Sequence, residues 1–139
     1  GYTKALLDND IPFNEDLIIK IEDVDTCEII ISQLLEDRAI DAVFAVNELF
    51  AVTIIKTASK MGLRVPEDLA VIAFTDGIIS KYSTPTITTV SQSGNKMGNK
   101  AAKMLIDRLE LETEEGEEEE ENYKTEVIET HLIERESTD

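Results

Sequence analysis

The apolar residues of this chain follow two different periods along the sequence. Three short runs are almost continuously apolar and have the length of β-strands, at residues 17–21, 41–46 and 69–74. Between them, apolar residues recur every three or four positions from Cys27 to Leu35 and from Phe50 to Met61, which indicates amphipathic helices. Strands that alternate with helices predict an α/β domain, a parallel sheet with helices on both faces. Continuously apolar strands are typical of burial on both faces.

Local signals mark one end of each predicted helix. Asp25, followed three residues later by Glu28, is typical of a capping box at the start of the first helix. Gly62 is typical of a helix C-terminus, and Pro66 follows it closely. Both signals agree with the periodicity, so local and longer-range patterns predict the same elements.

The pattern changes after the third predicted strand. The stretch 83–94 is rich in hydroxyls and β-branched residues and contains Pro85, which indicates an extended segment. Helical spacing then predicts a helix over 94–110, and alternation predicts a last strand within 124–135. Between these two, residues 112–123 hold a block of glutamates that repel one another, which predicts a solvated acidic loop.

Composition places the chain among globular domains. Its 139 residues, 42% of them hydrophobic, are enough for one domain with a core. The net charge is −17, and the basic residues form no cluster that could bind phosphates, so no direct nucleic-acid binding is expected. No apolar run approaches the ~20 residues that cross a bilayer, so no membrane association is expected.

Cysteine usage and the N-terminus bear on the cellular compartment. The single cysteine, Cys27, cannot form an internal disulfide, and its place on an apolar helix stripe predicts a small buried side chain. The N-terminus has no signal-peptide pattern, and a cytoplasmic location is therefore expected. The first residue is not methionine, which indicates a piece of a longer protein.

Polar residues follow each of the three predicted strands. They are Glu22–Asp23, Asn47–Glu48 and Thr75–Asp76. Because the carboxyl ends of parallel strands meet at one edge of a sheet, we expect these side chains to lie on a common rim. Carboxylates, amides and hydroxyls can together hydrogen-bond a polyhydroxylated ligand. The sequence therefore predicts a small-molecule site on this rim.

Each rim residue also has a purely structural interpretation. Asn47 directly precedes a helix and could only cap it, Asp23 could be a capping partner, and residues 75–77 could be a simple turn. The carboxylates could instead hold Mg²⁺ for phosphoryl chemistry, but no nucleophile motif accompanies them. His131, the only histidine, has no partner near it in sequence, so a surface or packing role is expected. No metal site and no cofactor are expected.

Two long stretches resemble the effector-binding part of the lactose-repressor (LacI/GalR) family of bacterial transcriptional regulators. They are AVFAVNELFAVTIIKTASKMGLRVPEDLAVIAFTD and STPTITTVSQSGNKMGNKAAKMLIDRL, and the chain ends on the similar run ETHLIERES. The resemblance covers nearly the whole chain. It implies a periplasmic-binding-protein-like (type I) lobe and a protein that is not an enzyme.

The resemblance also implies an organisation into two lobes. Residues 1–90 and 124–135 would form the second lobe, whereas the helix within 91–111 would belong to the first lobe. Family members bind a sugar or related small molecule between the lobes, are typically dimers, and bind operator DNA through an N-terminal headpiece that is absent here. The effector partner would be a sugar or sugar derivative, and operator DNA would be contacted only through the missing headpiece.

The family's ligand contacts can be carried over to matching positions. The resemblance implies ligand-binding roles for Asn47, Gln92, Thr75, Asp76 and Asp23. The usual Phe-Asp-Asp signature has Thr75 at its first aspartate, and the aromatic that many members carry near Asp23 is lacking. Replacing a carboxylate by a hydroxyl removes an acceptor of two strong bonds, so the ligand is expected to be held differently there.

The leading functional interpretation is the ligand-sensing portion of a transcriptional regulator. An exported sugar-binding protein of a transport system shares the same fold and is the first alternative. A Mg²⁺-dependent phosphate-ester enzyme that uses the acidic rim is the second. A helix-turn-helix or a signal peptide upstream would separate the regulator from the exported protein.

Overall fold

The computed structural model describes residues 1–36, 40–114 and 124–139. Five helices and four strands alternate along most of this length, and a 3-10 helix, Glu15–Leu17, lies between the first two helices. The helices are α1 Tyr2–Asp8, α2 Val24–Glu36, α3 Glu48–Lys60, α4 Ile78–Tyr82 and α5 Gly94–Glu114. The strands are β1 Ala42–Ala45, β2 Ala70–Phe74, β3 Thr88–Ser91 and β4 His131–Ile133.

The four strands form one mostly parallel sheet in the order β1-β2-β3-β4. β1, β2 and β3 run parallel, with Ala45 opposite Ala73 and Phe74 opposite Val90. β4 closes the sheet antiparallel to β3. The predicted α/β architecture is therefore confirmed, and the predicted strands at 41–46 and 69–74 correspond to β1 and β2.

The core lies where α2 and α3 pack against each other and against the sheet. Its buried apolar members come from both helices, from β1 and β2 and from the turns that lead into β2 and β3; they are Cys27, Ile31, Leu35, Ala45, Ala51, Ile54, Ile55, Ala58, Leu69, Val71, Ala73 and Ile87. The helical spacing predicted from the sequence is confirmed by this set. Cys27 is 1% exposed, so its predicted role as a small buried side chain is confirmed, and burial raises the pKa of its thiol.

The strand predicted at residues 17–21 is wrong. Leu17 ends the 3-10 helix, residues 18–21 adopt no strand, and β1 is the edge of the sheet on that side. A cavity of about 690 Å³ lies between this apolar segment and β1, lined by Tyr2, Leu17, Ile18, Ile21, Phe44 and Val46 among others. A strand needs a neighbour with which to share backbone hydrogen bonds, and across this cavity residues 18–21 have none.

Burial of β1 on both faces, expected from its apolar run, is also wrong. Ala45 is buried against the helices, but Phe44 on the opposite face is 59% exposed. The Phe44 ring contacts Phe74 edge-to-face, with ring centroids 6.4 Å apart. One side of β1 therefore remains an exposed apolar surface.

Of the two helix-end signals in the sequence, one is confirmed and the other is wrong. Gly62 has a φ of 76° directly after the C-cap of α3, a conformation that glycine adopts without strain, so the predicted helix end is confirmed. The predicted capping box is wrong, because Asp23 and not Asp25 caps α2. The Asp23 carboxylate accepts hydrogen bonds from the Thr26 backbone N–H and hydroxyl, each at 2.7 Å. Glu28 instead forms an ion pair with Lys60 of α3.

The C-terminal third departs from expectation mainly in where its elements end. α5 continues to Glu114, because glutamate has a high helix propensity, so the first residues of the predicted acidic loop are helical. The rest of that loop, 115–123, lies outside the described residues. The strand predicted within 124–135 is limited to β4, and His131 is exposed on it. No described helix or strand packs extensively against α5.

Candidate functional site

The sheet register places four of the five predicted site residues at one edge. Asn47 follows β1, Thr75 and Asp76 follow β2, and Gln92 follows β3. This edge is the carboxyl end of the three parallel strands, where ligands bind in open α/β sheets. Asp23 follows no strand, so the sheet does not place it on this rim.

Asn47 is the N-cap of α3. Its Oδ1 accepts a hydrogen bond from the Phe50 backbone N–H at 3.0 Å, as is usual for an asparagine at a helix start. The side chain is half-buried, and its Nδ2 group has no hydrogen-bond partner among the described residues. Capping therefore uses the carbonyl oxygen and leaves the amide donors for another group.

Thr75 has an unusual backbone conformation. Its φ is 122°, a value that is rare for any residue except glycine and least favourable for a β-branched one. Its backbone N–H donates to the Val90 carbonyl at 3.1 Å, which ties the end of β2 to β3. Strained backbone of this kind costs about 1–3 kcal/mol and persists where the surroundings hold it.

Asp76 is held by two positive charges. Its Oδ1 accepts from Arg135 Nη2 at 2.6 Å and from the Thr89 hydroxyl at 3.0 Å. Its Oδ2 lies 3.6 Å from Lys81 Nζ, and the Asp76 side chain is 12% exposed. Burial raises the pKa of Asp76, but the hydrogen bonds from Arg135 and Thr89 and the charges of Arg135 and Lys81 outweigh it, so that the pKa lies below its usual 3.8.

Acid is expected to destabilise the fold partly through Asp76. Because its pKa is lower in the folded than in the unfolded chain, the carboxylate stabilises the fold above its usual value of 3.8, and this stabilisation is lost as the pH falls through the lower folded-state value. Urea unfolding between about pH 6 and pH 3 should show a falling free energy, with a shallower slope in Asp76→Asn. Identical slopes in the two proteins would contradict this role.

Sequence reasoning missed the anchoring roles of two residues that hold the rim. Glu48 was placed on the rim, but its Oε2 caps the start of α4, where it accepts from the Gly77 N–H at 3.0 Å and from the Ser80 N–H and hydroxyl at 3.2 and 2.9 Å. Arg135 lies 59 residues from Asp76 in sequence. The available signal was general: a carboxylate that ends a buried strand needs a cationic partner.

Gln92 lies between β3 and α5, next to Ser93, whose φ is 53°. It is half-buried at the carboxyl end of β3, a position that only the family resemblance had indicated. The lining of the apolar cavity beside β1 includes Val46 at this edge but none of the four rim residues. The rim is therefore one polar wall and not an enclosed pocket.

Within residues 1–36, 40–114 and 124–139, no three His, Cys, Asp or Glu side chains gather in a way that could hold a metal ion. No helix in the same part of the chain is long and apolar enough to cross a bilayer.

Known proteins share both this sequence pattern and this fold. Residues 5–138 match the family described as periplasmic binding protein-like domain. The HTH-type transcriptional regulator MalR of Clostridium butyricum is 37% identical over 139 residues, which cover 99% of this chain and 39% of the relative. The chain therefore spans about two fifths of that relative's length.

Solved structures agree with the sequence relatives. The complex of the transcriptional regulator CelR with cellobiose is 31% identical, with a TM-score of 0.78, over 98% of this chain and 40% of the CelR chain. A LacI-family regulator from Sanguibacter keddieii is 26% identical, with a TM-score of 0.84, over 98% of this chain and 51% of its own. The chain belongs to the periplasmic binding protein-like family, in the form that LacI-family transcriptional regulators carry as their effector domain.

Proposed function

We propose that this chain is one wall of the sugar sensor of a LacI-type transcriptional regulator. The observation that carries the proposal is the rim at the carboxyl ends of β1, β2 and β3, where Asn47, Thr75, Asp76 and Gln92 are brought together by the sheet. The CelR relative binds a disaccharide, and this rim offers the hydroxyl, amide and carboxylate groups that recognise sugar hydroxyls. Asp23 caps α2 and would join the site only through its remaining acceptor capacity.

In the proposed assembly, this wall belongs to the second of two lobes. Residues 1–90 and 124–135 form that lobe, and α5 projects into the first. The exposure of apolar side chains on α5 supports this division: Met97 is 44%, Leu105 59% and Ile106 53% exposed. A helix with an apolar face is stable when another surface covers that face.

Sensing would follow from unequal affinity for two arrangements of the lobes. An effector that binds the closed arrangement more tightly shifts the equilibrium toward it, by as much as its differential affinity allows. In a dimer, that movement would change the operator affinity of a headpiece at a distant site. The exposed Ile78 and Tyr82 of α4, at 72% and 81%, are the apolar surface that we assign to the dimer contact. Such a regulator acts in the cytoplasm and is not an enzyme.

The test is sugar binding by the full-length regulator. Thermal shifts and calorimetry with cellobiose, followed by other disaccharides, sugar phosphates and purines, should reveal one class of ligand that saturates. Saturation by a sugar phosphate or a purine alone would contradict the sugar assignment. If no ligand saturates and the protein turns over a phosphate ester in the presence of Mg²⁺, the enzyme interpretation would replace the sensor interpretation.

Asn47→Ser is expected to weaken the affinity for that sugar about tenfold while leaving stability nearly unchanged. Serine keeps an oxygen that caps α3 but lacks the amide donors of Asn47. The matched control is Asn14→Ser, since Asn14 also caps a helix, accepting from the Asp16 N–H at 3.0 Å, but follows no strand of the sheet. Equal effects of the two substitutions on sugar affinity would contradict a ligand role for Asn47.

A further inference from the structure

Arg135 joins the C-terminal segment to the turn that follows β2. Its Nη2 donates to Asp76 Oδ1 at 2.6 Å, and its Nη1 donates to the Ile87 carbonyl at 2.6 Å and to the Thr89 hydroxyl at 3.1 Å. The Arg135 and Asp76 side chains are only 15% and 12% exposed. One guanidinium therefore connects the end of β2 to the beginning of β3.

The backbone of Arg135 is itself fixed. Its N–H donates to the Thr88 hydroxyl at 2.8 Å, and the same hydroxyl donates to the Arg135 carbonyl at 3.0 Å. These bonds hold the residue beside β3 just after β4 ends. The guanidinium is thus preorganised before any ligand arrives, which is how a supporting residue keeps a site in its productive geometry.

The turn that Arg135 reaches needs such support, because Thr75 has the strained φ of 122°. Each of its three residues has an anchor. Thr75 N–H donates to Val90, Asp76 accepts from Arg135, and Gly77 N–H donates to Glu48. Of these, the Arg135 anchor alone fixes a side chain that the proposed function places on the ligand wall.

We propose that Arg135 is a positioning residue of the effector site: it occupies Oδ1 of Asp76 and thereby holds the strained turn so that Thr75 and Oδ2 of Asp76 are presented to the ligand. The ligand part of this inference rests on the proposed function, whereas the effect on the turn does not. Lys81 lies beyond hydrogen-bond distance of Oδ2, at 3.6 Å, so this oxygen keeps acceptor capacity. Arg135 acts through Asp76 and does not itself touch the ligand.

Hydrogen exchange by NMR tests the positioning role without any ligand. In Arg135→Gln, exchange at the amides of residues 75–77 should rise about tenfold or more over the wild type, while the amides of β2 change by less than about threefold. Arg135→Lys keeps the charge and supplies one donor group in place of the planar fork, so it should give an intermediate rise. The proposal would be overturned if both variants accelerate amide exchange equally throughout β2 and β3, or if amide exchange at residues 75–77 does not change.

The matched control is Glu136→Gln, the neighbouring tail residue. Glu136 accepts from the Thr86 N–H at 2.8 Å and hydroxyl at 2.9 Å but does not contact the turn, so residues 75–77 should exchange as in the wild type. Faster exchange at the turn in this variant would mean that any loosening of the tail has the same effect, which would count against Arg135.

Calorimetry with cellobiose on the full-length regulator tests the part of the proposal that concerns ligand binding. Arg135→Gln and Asp76→Asn should each lower the affinity for cellobiose. The affinity of the double variant should be no lower than that of the weaker-binding single variant, because both substitutions remove the same arrangement. Additive losses would overturn the indirect role. If cellobiose does not bind the wild type, the choice of effector fails while hydrogen exchange still decides the positioning role.

Discussion

Replacing Ser137 with alanine is expected to lower the free energy of unfolding by about 2–4 kcal/mol. Ser137 is fully buried, and its hydroxyl donates to the Val71 carbonyl at 2.6 Å and accepts from the Thr88 N–H at 2.9 Å. Alanine fills nearly the same volume but leaves one buried carbonyl and one buried N–H without a partner. Each orphaned group costs about 1–3 kcal/mol, more than a typical surface substitution.

The same residue explains why the C-terminal segment matters to the sheet. The Ser137 carbonyl accepts from the Val71 N–H at 3.0 Å, and its own N–H donates to the Thr86 carbonyl at 2.9 Å. These backbone bonds survive the substitution, so the loss of stability measures the contribution of the hydroxyl alone.

Urea unfolding monitored by circular dichroism gives the difference in the free energy of unfolding between the wild type and Ser137→Ala. Glu136→Gln is the control, because replacing its exposed carboxylate should lower the free energy of unfolding much less, and equal losses would contradict a special role for Ser137.

The central strands and helices could be predicted from the sequence because their signals are local. α2, β1, α3 and β2 each bury a face whose period is visible within a dozen residues, and Gly62 marks a helix end by its conformational freedom alone. Parallel connectivity then placed Asn47, Thr75 and Asp76 at one edge without any knowledge of their contacts.

The errors concern partners that are distant in sequence. Residues 17–21 have the composition of a strand, yet a strand also needs a neighbour, and the neighbour is not visible in the segment itself. The choice between Asp23 and Asp25 as the cap of α2 depended on where the helix begins, which is the least certain feature of a periodic pattern.

For the candidate site, too, positions could be predicted from the sequence and contacts between distant residues could not. The sequence indicated which residues lie on the rim, but not which of their atoms are already engaged. Asp76 is bound by Arg135 and Glu48 by the turn at Gly77, across 59 and 29 residues of sequence. These contacts hold the polar residues of the rim in fixed positions, and only the tertiary structure reveals them.

Gly77→Ala is expected to destabilise the fold by about 2–3 kcal/mol, since hydrogen bonds to a charged group are worth about 1.5–3 kcal/mol. A Cβ at this position would meet the Glu48 Oε2 at 2.5 Å, so the carboxylate would have to move away. It would then lose its bonds to the Gly77 and Ser80 N–H groups and to the Ser80 hydroxyl. The φ of −101° at Gly77 is open to alanine, so the cost arises from the collision.

A double-mutant cycle with Glu48→Ala separates the collision from any effect of the backbone. Once Glu48 is shortened, Gly77→Ala should be neutral or stabilise by up to about 1 kcal/mol, because alanine restricts the unfolded chain more than glycine does. Gly98→Ala is the matched control: Gly98 lies within α5 with no atom near its missing Cβ, and alanine there should stabilise in both backgrounds. If Gly77→Ala is equally costly with and without Glu48, the turn is held by its own backbone, and Glu48 does not anchor the wall that Thr75 and Asp76 form.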